Sequence, residues 1–169
     1  MLEIATLLFF PALMVFAAFS DLLTMTISNR VSIALALLFI ALAGASGLSA
    51  AEISWHLASG ASILVLGFGL FALGWIGGGD AKLAAATAIW LGFDHLGDYA
   101  LVASLLGGLL TLLILALRHW PVLSTLMKQA WIRRLHAPGT GVPYGIALAS
   151  AGLFLYPESA IWLAAAASH

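Results

Sequence analysis

The sequence predicts an all-α polytopic membrane protein with six transmembrane helices, and three observations support this prediction. Of the 169 residues, 63% are hydrophobic and only 8% are charged, whereas soluble domains carry about 25% charged residues. The mean hydropathy is +1.12. The apolar residues form long continuous runs, which favour helices because the strands of a membrane barrel alternate apolar and polar residues. The composition therefore excludes a water-soluble globule.

The first helix is predicted in the opening segment, residues 1–20, where Glu3 stands in place of the Lys or Arg of a secretory signal. We therefore expect a retained helix and not a cleaved signal peptide. The other five helices are predicted at Val31–Leu48, Trp55–Ile76, Ala81–Phe93, Tyr99–Leu117 and Val142–Tyr156. The tail Ala160–Ala167 is a candidate extension of the sixth helix. The fourth segment is shorter than the roughly 20 residues that a span needs.

The positions of the basic residues predict the orientation of the chain. If the N-terminus lies outside, all six basic residues fall on the cytoplasmic side: Arg30, Lys82, Arg118, Lys128, Arg133 and Arg134. The outer side then holds Glu3, Glu52, Asp94 and Asp98. This arrangement agrees with the positive-inside rule, so both termini are predicted outside.

Several classes of function are excluded by composition. The chain has no cysteine, which rules out a disulfide scaffold, a thiol nucleophile and a cysteine-ligated zinc site. The formal net charge is −1, so nothing indicates binding to nucleic acid. The five histidines show no metal-ligand spacing, and we expect no metal and no cofactor. Without repeats or linkers, residues 1–169 are predicted to form a single domain.

Two acidic residues are the strongest candidates for chemistry. Asp21 closes the first helix and Asp80 opens the fourth, so both are expected at the cytoplasmic boundary. Ionisable groups at the ends of spanning helices are rare and informative. Two neighbouring carboxyl groups can share one proton while one of them acts as a base toward water, which is the chemistry of an aspartic protease. The alternatives are that Asp80 caps its helix and that Asp21 marks a helix end.

The residues around these acids also allow two interpretations each. The glycines from Gly77 to Gly79 permit unusual backbone angles and close approach of another peptide, or they form an ordinary turn before a helix. Lys82 either tunes the charge of Asp80 or extends to the lipid headgroups. Asn29 either binds a substrate backbone or caps the second helix.

The string from Gly77 to Leu83, G-x-G-D-x-K-L, occurs together with Asp21 followed by Ile27-Ser28-Asn29. This pattern resembles the type IV prepilin peptidases, membrane aspartyl proteases of the A24 class, and in particular the short CpaA/TadV-like branch that serves Flp-type pili. The resemblance covers nearly the whole chain. It implies that Asp21 and Asp80 are the catalytic pair and that Gly77 and Gly79 shape the active-site turn. Ser28 departs from the proline that is frequent at this point in the family.

Two further comparisons refine the resemblance. Presenilin-like proteases share the G-x-G-D string, but their Tyr-Asp and Pro-Ala-Leu motifs are absent, whereas Pro143-Tyr144-Gly145 is similar to the last helix of the prepilin peptidases. Larger prepilin peptidases carry an N-methyltransferase region with paired CxxC motifs. This sequence has no cysteine, so the resemblance implies a single transmembrane peptidase domain without a methyltransferase domain.

The resemblance implies removal of basic leader peptides from Flp-type prepilins and pilin-like precursors, with cleavage after a glycine. The site would lie at the cytoplasmic face of the bacterial inner membrane, in a multi-pass protein. Its partners would be these precursors and the lipid bilayer, with the pilus assembly machinery as a further candidate and no nucleic acid. A small ion-coupled transporter and a non-catalytic pilus assembly subunit remain as alternatives, since broken helices and intramembrane acids also occur together in transporters.

Overall fold

The computed structural model describes residues 2–121 and 125–166, and in these ranges the chain is helical and contains no β-strand. The helices are α1 (Leu2–Thr24), α2 (Asn29–Ala45), α3 (Ala50–Ala72), α4 (Gly78–Leu91), α5 (Leu96–His119), α6 (Ala130–His136), α7 (Tyr144–Leu155) and α8 (Ala160–Ala166). The side chain of Glu3 and the last residue of the predicted tail, Ala167, lie outside the described part.

Helix α3 begins five residues before its predicted start at Trp55, and a capping box explains the difference. The hydroxyl of Ser49 accepts a hydrogen bond from the Glu52 N–H at 3.2 Å, and the Glu52 carboxylate accepts one from the Ser49 N–H at 2.7 Å. This reciprocal pair satisfies two N–H groups of the first turn. The helix ends at Ala72, ahead of Gly74, whose φ of +75° turns the chain.

Helix α4 begins at Gly78 and ends at Leu91, so it starts and ends earlier than the predicted segment Ala81–Phe93. Gly92 follows with a φ of +72°, a backbone conformation that stops a helix. With 14 residues, α4 is about 21 Å long. It is thus shorter than the roughly 30 Å hydrocarbon core of a bilayer.

Three helices of the described chain are long and apolar enough to cross a membrane: Ile4–Thr24, Ala50–Ala72 and Phe93–His119. A fourth is added if Tyr144–Glu158 and Ala160–Ala166, which meet at a bend of 46°, are taken as one span. Pro157 lies in the short 3₁₀ turn at this bend, so the sixth predicted helix and its tail are two helices. The chain is a helical membrane protein with three to four candidate spans.

Helix α4 lies at the centre of the bundle, in contact with α2, α3 and α7. Its alanines at positions 81, 85, 86 and 88 are buried, as expected where small residues let helix backbones approach closely. Helices α3 and α4 approach closely at Gly67, because a Cβ atom at this position would lie 2.9 Å from the Cβ of Ala81. The tight packing fixes the position of the first turn of α4 relative to its neighbours.

Aromatic side chains pack around the C-terminal half of α4, at the end of the bundle away from its first turn. Trp90 is buried among Phe10, Phe39 and Tyr156. The Trp90 indole N–H donates to the Leu35 carbonyl at 3.0 Å, and the Tyr156 hydroxyl donates to the Thr6 carbonyl at 2.5 Å. Both polar groups are therefore satisfied inside an apolar layer. This layer holds α1, α2, α4 and the end of α7 together, and leaves the opposite end of α4 to carry the polar residues.

Candidate functional site

Asp21 lies in the last turn of α1 and is only 5% exposed. Its Oδ2 accepts a hydrogen bond of 2.7 Å from the backbone N–H of Gly145, in the first turn of α7. A buried carboxyl group needs such a partner. The contact therefore joins α1 to α7 through two residues that are 124 positions apart in sequence.

The segment after α1 brings Ile27 between the starts of two other helices. Met25 has a φ of +56°, a left-handed conformation that is uncommon for residues other than glycine, and it turns the chain back over the end of α1. Ile27 is buried. A Cβ atom at Gly79 would lie 3.2 Å from the Ile27 Cβ, and one at Gly145 would lie 2.7 Å from the Ile27 Cδ1. Both glycines therefore make room for this side chain.

Asp80 lies in the first turn of α4, and its carboxylate accepts a hydrogen bond from the backbone of Gly77, the N-cap residue. This contact is half of a capping box, so the capping interpretation of Asp80 describes part of what the side chain does. A Cβ atom at Gly77 would lie 2.7 Å from Asp80 Oδ2. A glycine at position 77 is thus required for the carboxylate to take this position.

The two acids meet in one cavity of about 850 Å³ between the ends of α1, α4 and α7. Their carboxyl groups are close enough to interact electrostatically. The wall is completed by Met25, Gly74, Trp75, Ile76, Gly77, Ala84, Arg134, Thr140, Gly141, Val142, Tyr144 and Leu148. Trp75 is 74% exposed, so one aromatic side chain of the wall is largely accessible from outside.

One wall of this cavity is formed by Arg134 and Thr140, neither of which is among the predicted site residues. Arg134 donates a hydrogen bond from Nη2 to the carbonyl of Leu23 at the end of α1. Its Nε is buried without a hydrogen-bond partner among the described residues. Arg118 holds the segment in place, since its Nε donates to the Leu135 carbonyl at 2.7 Å and its Nη2 to the Thr140 carbonyl at 2.9 Å.

Lys82 and Asn29 contact each other. The Lys82 Nζ donates a hydrogen bond of 2.9 Å to Asn29 Oδ1. The N-cap of α2 is Ser28, whose hydroxyl accepts from the Arg30 N–H at 3.3 Å, so the capping interpretation of Asn29 is wrong. Within the described ranges Lys82 has no ion-pair partner within 4 Å, Asp80 included.

The described residues hold no group of three or more histidine, aspartate or glutamate side chains placed to bind a metal ion together. The polar groups of the cavity are carboxylates, a guanidinium, hydroxyls and backbone amides. Such groups can exchange protons with water and hydrogen-bond a polypeptide backbone. The arrangement is suited to general acid–base chemistry on a peptide.

Comparison with known proteins gives one match. The model of the type IV leader peptidase family matches residues 8–114, more than half of the chain. The matched part begins within α1 and ends within α5, so it contains both acids and the glycines before Asp80. Comparison with curated proteins and with solved structures gave no match.

Proposed function

The chain belongs to the type IV leader peptidase family, and from this premise we propose that it is an aspartic endopeptidase with Asp21 and Asp80 as its catalytic pair. Its substrates are the prepilins and pilin-like precursors of Flp-type pili, as expected for the CpaA/TadV-like branch. Membership of the family makes the protein a protease and confirms the predicted resemblance at the level of the family. The observation that carries the aspartic assignment is the shared cavity, which is lined by two carboxyl groups from different helices.

The reaction follows from the chemistry of this pair. One carboxylate takes a proton from a water molecule, which attacks the scissile carbonyl, while the other carboxyl group donates a hydrogen bond to the carbonyl oxygen. Transfer of that carboxyl proton to the oxygen gives a tetrahedral diol. The diol collapses when the leaving nitrogen takes the proton that the first carboxylate removed from water and one hydroxyl returns its proton to the second carboxylate. The hydrogen bond from the Gly145 N–H to Asp21 and the hydrogen bond from Gly77 to Asp80 hold the two groups in position, so they need little reorganisation during the reaction.

The leader-release reaction tests this function directly. Purified protein in detergent is incubated with a Flp-type prepilin, and the products are identified by mass spectrometry. We expect a released leader that ends in glycine and a mature pilin with a new N-terminus. A transporter or an assembly subunit would leave the precursor intact, so an intact precursor would contradict the proposal.

We place the active site at the cytoplasmic face of the bacterial inner membrane, in a single peptidase domain of six spans with both termini outside. In this arrangement α2 and α4 cross the membrane as short helices, and α4 is buried at the centre of the bundle. Hydrogen bonds near the cavity support this orientation. The side chains of Lys82, Arg118 and Arg134 all donate hydrogen bonds at the end of the bundle that holds the cavity. Basic residues gathered at one end indicate the cytoplasmic side.

This topology predicts the accessibility of introduced thiols, and the absence of cysteine makes each of them the only thiol in the chain. Lys128 and Asp94 are both exposed. In intact cells, a membrane-impermeant maleimide is expected to label Asp94→Cys and to label Lys128→Cys only after permeabilisation. Labelling of Lys128→Cys from outside would contradict the orientation, and failure to label Asp94→Cys in intact cells would contradict the outer position of the α4–α5 turn.

Arg134 is expected to bind the substrate backbone. Its unpartnered Nε–H can donate to a peptide carbonyl, and a hydrogen bond from a charged donor contributes about 1.5–3 kcal/mol. We expect Arg134→Gln to raise KM about tenfold with a small change in kcat, measured by precursor cleavage at varied substrate concentration. The control is Arg133→Gln, which removes the exposed neighbouring charge. A fall in kcat at unchanged KM would contradict a binding role.

A further inference from the structure

A second cavity, of about 530 Å³, opens between α2, α3 and α4. It shares no lining residue with the cavity of the two acids. Much of its lining consists of small residues: Ala36, Gly60, Ala61, Ala85 and Ala86. Ile33 and Phe68 flank it and are 57% and 44% exposed. In a membrane protein such exposed apolar flanks face lipid, so the cavity is a groove that opens to the bilayer.

The polar residues of this groove lie at one end, where α2 and α4 begin. Lys82 and Asn29 are joined there by their hydrogen bond. Ser32 lies one turn after Asn29, and its hydroxyl oxygen is buried without a hydrogen-bond partner among the described residues. Lys82 is the only charged residue of the lining. The groove therefore has a positive end with an unsatisfied hydroxyl, and an apolar remainder.

The groove continues along the helices away from this end. Lys82 and Ile89 lie seven residues apart on α4, and Asn29 and Ala36 lie seven residues apart on α2. Each of these separations is about 10 Å of helix axis, which is about a third of the hydrocarbon thickness. A molecule that fits here needs an anionic head and an apolar chain that enters the bilayer.

We propose that this groove binds a phospholipid with an anionic headgroup. One acyl chain occupies the apolar part, the phosphate accepts hydrogen bonds from Lys82 and Ser32, and the lysine compensates its charge. Basic pockets between transmembrane helices on the cytoplasmic side bind anionic lipids in this way.

The groove assignment does not depend on peptidase activity, so it is tested by binding. The full chain is purified and its retention of phosphatidylglycerol and phosphatidylcholine with identical acyl chains is compared by native mass spectrometry. We expect the wild type to retain phosphatidylglycerol about fivefold more strongly, since one lysine at the membrane surface contributes about this factor. Lys82→Met should abolish the preference. Lys128→Met, which removes an exposed lysine outside the groove, should preserve it.

A second pair of variants tests the position of the acyl chain. Ala36→Phe fills the groove without changing any charge, and we expect it to lower phosphatidylglycerol retention at least threefold. Its control is Leu37→Phe, at an adjacent position that is 62% exposed and outside the groove. Thermal unfolding in phosphatidylcholine verifies that all four variants are folded: Lys82→Met, Lys128→Met, Ala36→Phe and Leu37→Phe. Equal retention of both lipids by the wild type, a preference that survives Lys82→Met, or displacement of the lipid by a pilin transmembrane peptide would overturn the assignment.

Discussion

Asp21→Asn and Asp80→Asn are each expected to lower the rate of leader cleavage by roughly 10³-fold or more. An amide keeps the size of the carboxyl group and can accept the hydrogen bonds from Gly145 and Gly77, so folding should be preserved. It cannot take a proton from water or share an acidic proton, so the chemistry is lost. The measurement is a time course of precursor processing at matched amounts of membrane-inserted protein.

The controls for these two variants are Asp94→Asn and Asp98→Asn. Both residues are exposed and lie outside the cavity, so we expect near-normal processing. The pair of controls removes the same kind of charge without touching the site. Near-normal processing by Asp21→Asn or by Asp80→Asn would exclude that residue from the catalytic pair.

Gly145→Ala is expected to slow cleavage about 100-fold while the protein stays folded. A Cβ atom at position 145 would lie 2.8 Å from Asp21 Oδ2 and 2.7 Å from the Ile27 Cδ1. The carboxyl group must therefore move, and a displacement of about 1 Å in a catalytic group can cost 10²-fold in rate. The measurement is kcat for precursor cleavage, corrected for the folded fraction from thermal unfolding.

Gly108→Ala is the matched control, because a Cβ atom at this position of α5 meets no atom within 4 Å. Because alanine favours a helix more than glycine does, neither substitution lowers the stability of the helix backbone. We expect Gly108→Ala to cleave at the wild-type rate. Equal rates for Gly145→Ala and the wild type would show that the position of Asp21 does not depend on the contact with α7.

The sequence was informative about the acids because a charge in an apolar chain is costly and therefore rare. Asp21 and Asp80 stand out from residue type and position alone, and Gly77 and Gly79 stand out because they flank one of them. In the structure the two glycines accommodate different neighbours. Gly77 makes room for the Asp80 carboxylate, and Gly79 makes room for Ile27.

The contacts between distant segments could not be predicted from the same sequence. The hydrogen bond between Gly145 and Asp21 depends on how α7 packs against α1, and no local pattern encodes that geometry. Arg134 belonged to a basic segment that was predicted to lie on the cytoplasmic side. Its position in the cavity depends on Arg118, whose hydrogen bonds hold residues 135 and 140.

The accuracy of the predicted helix bounds was limited by a different cause. Hydropathy defines where a chain is apolar, whereas capping groups and backbone angles define where a helix begins and ends. The predicted start of α3 missed the capping box of Ser49 and Glu52, although the Ser-x-x-Glu spacing is visible in the sequence. The tail from Ala160 was predicted as a candidate extension of the sixth helix, whereas it forms a separate helix after a bend of 46° near Pro157.

The double variant Asp21→Asn/Asp80→Asn tests whether Asp21 and Asp80 act as one catalytic unit. Residual leader cleavage is measured under single-turnover conditions for the wild type, both single variants and the double variant. Groups that act together lose nearly all of their effect when either one is removed. We expect the double variant to cleave as slowly as each single variant. A double variant whose loss is the product of the two single losses would contradict it, because the two carboxyl groups would then contribute independently.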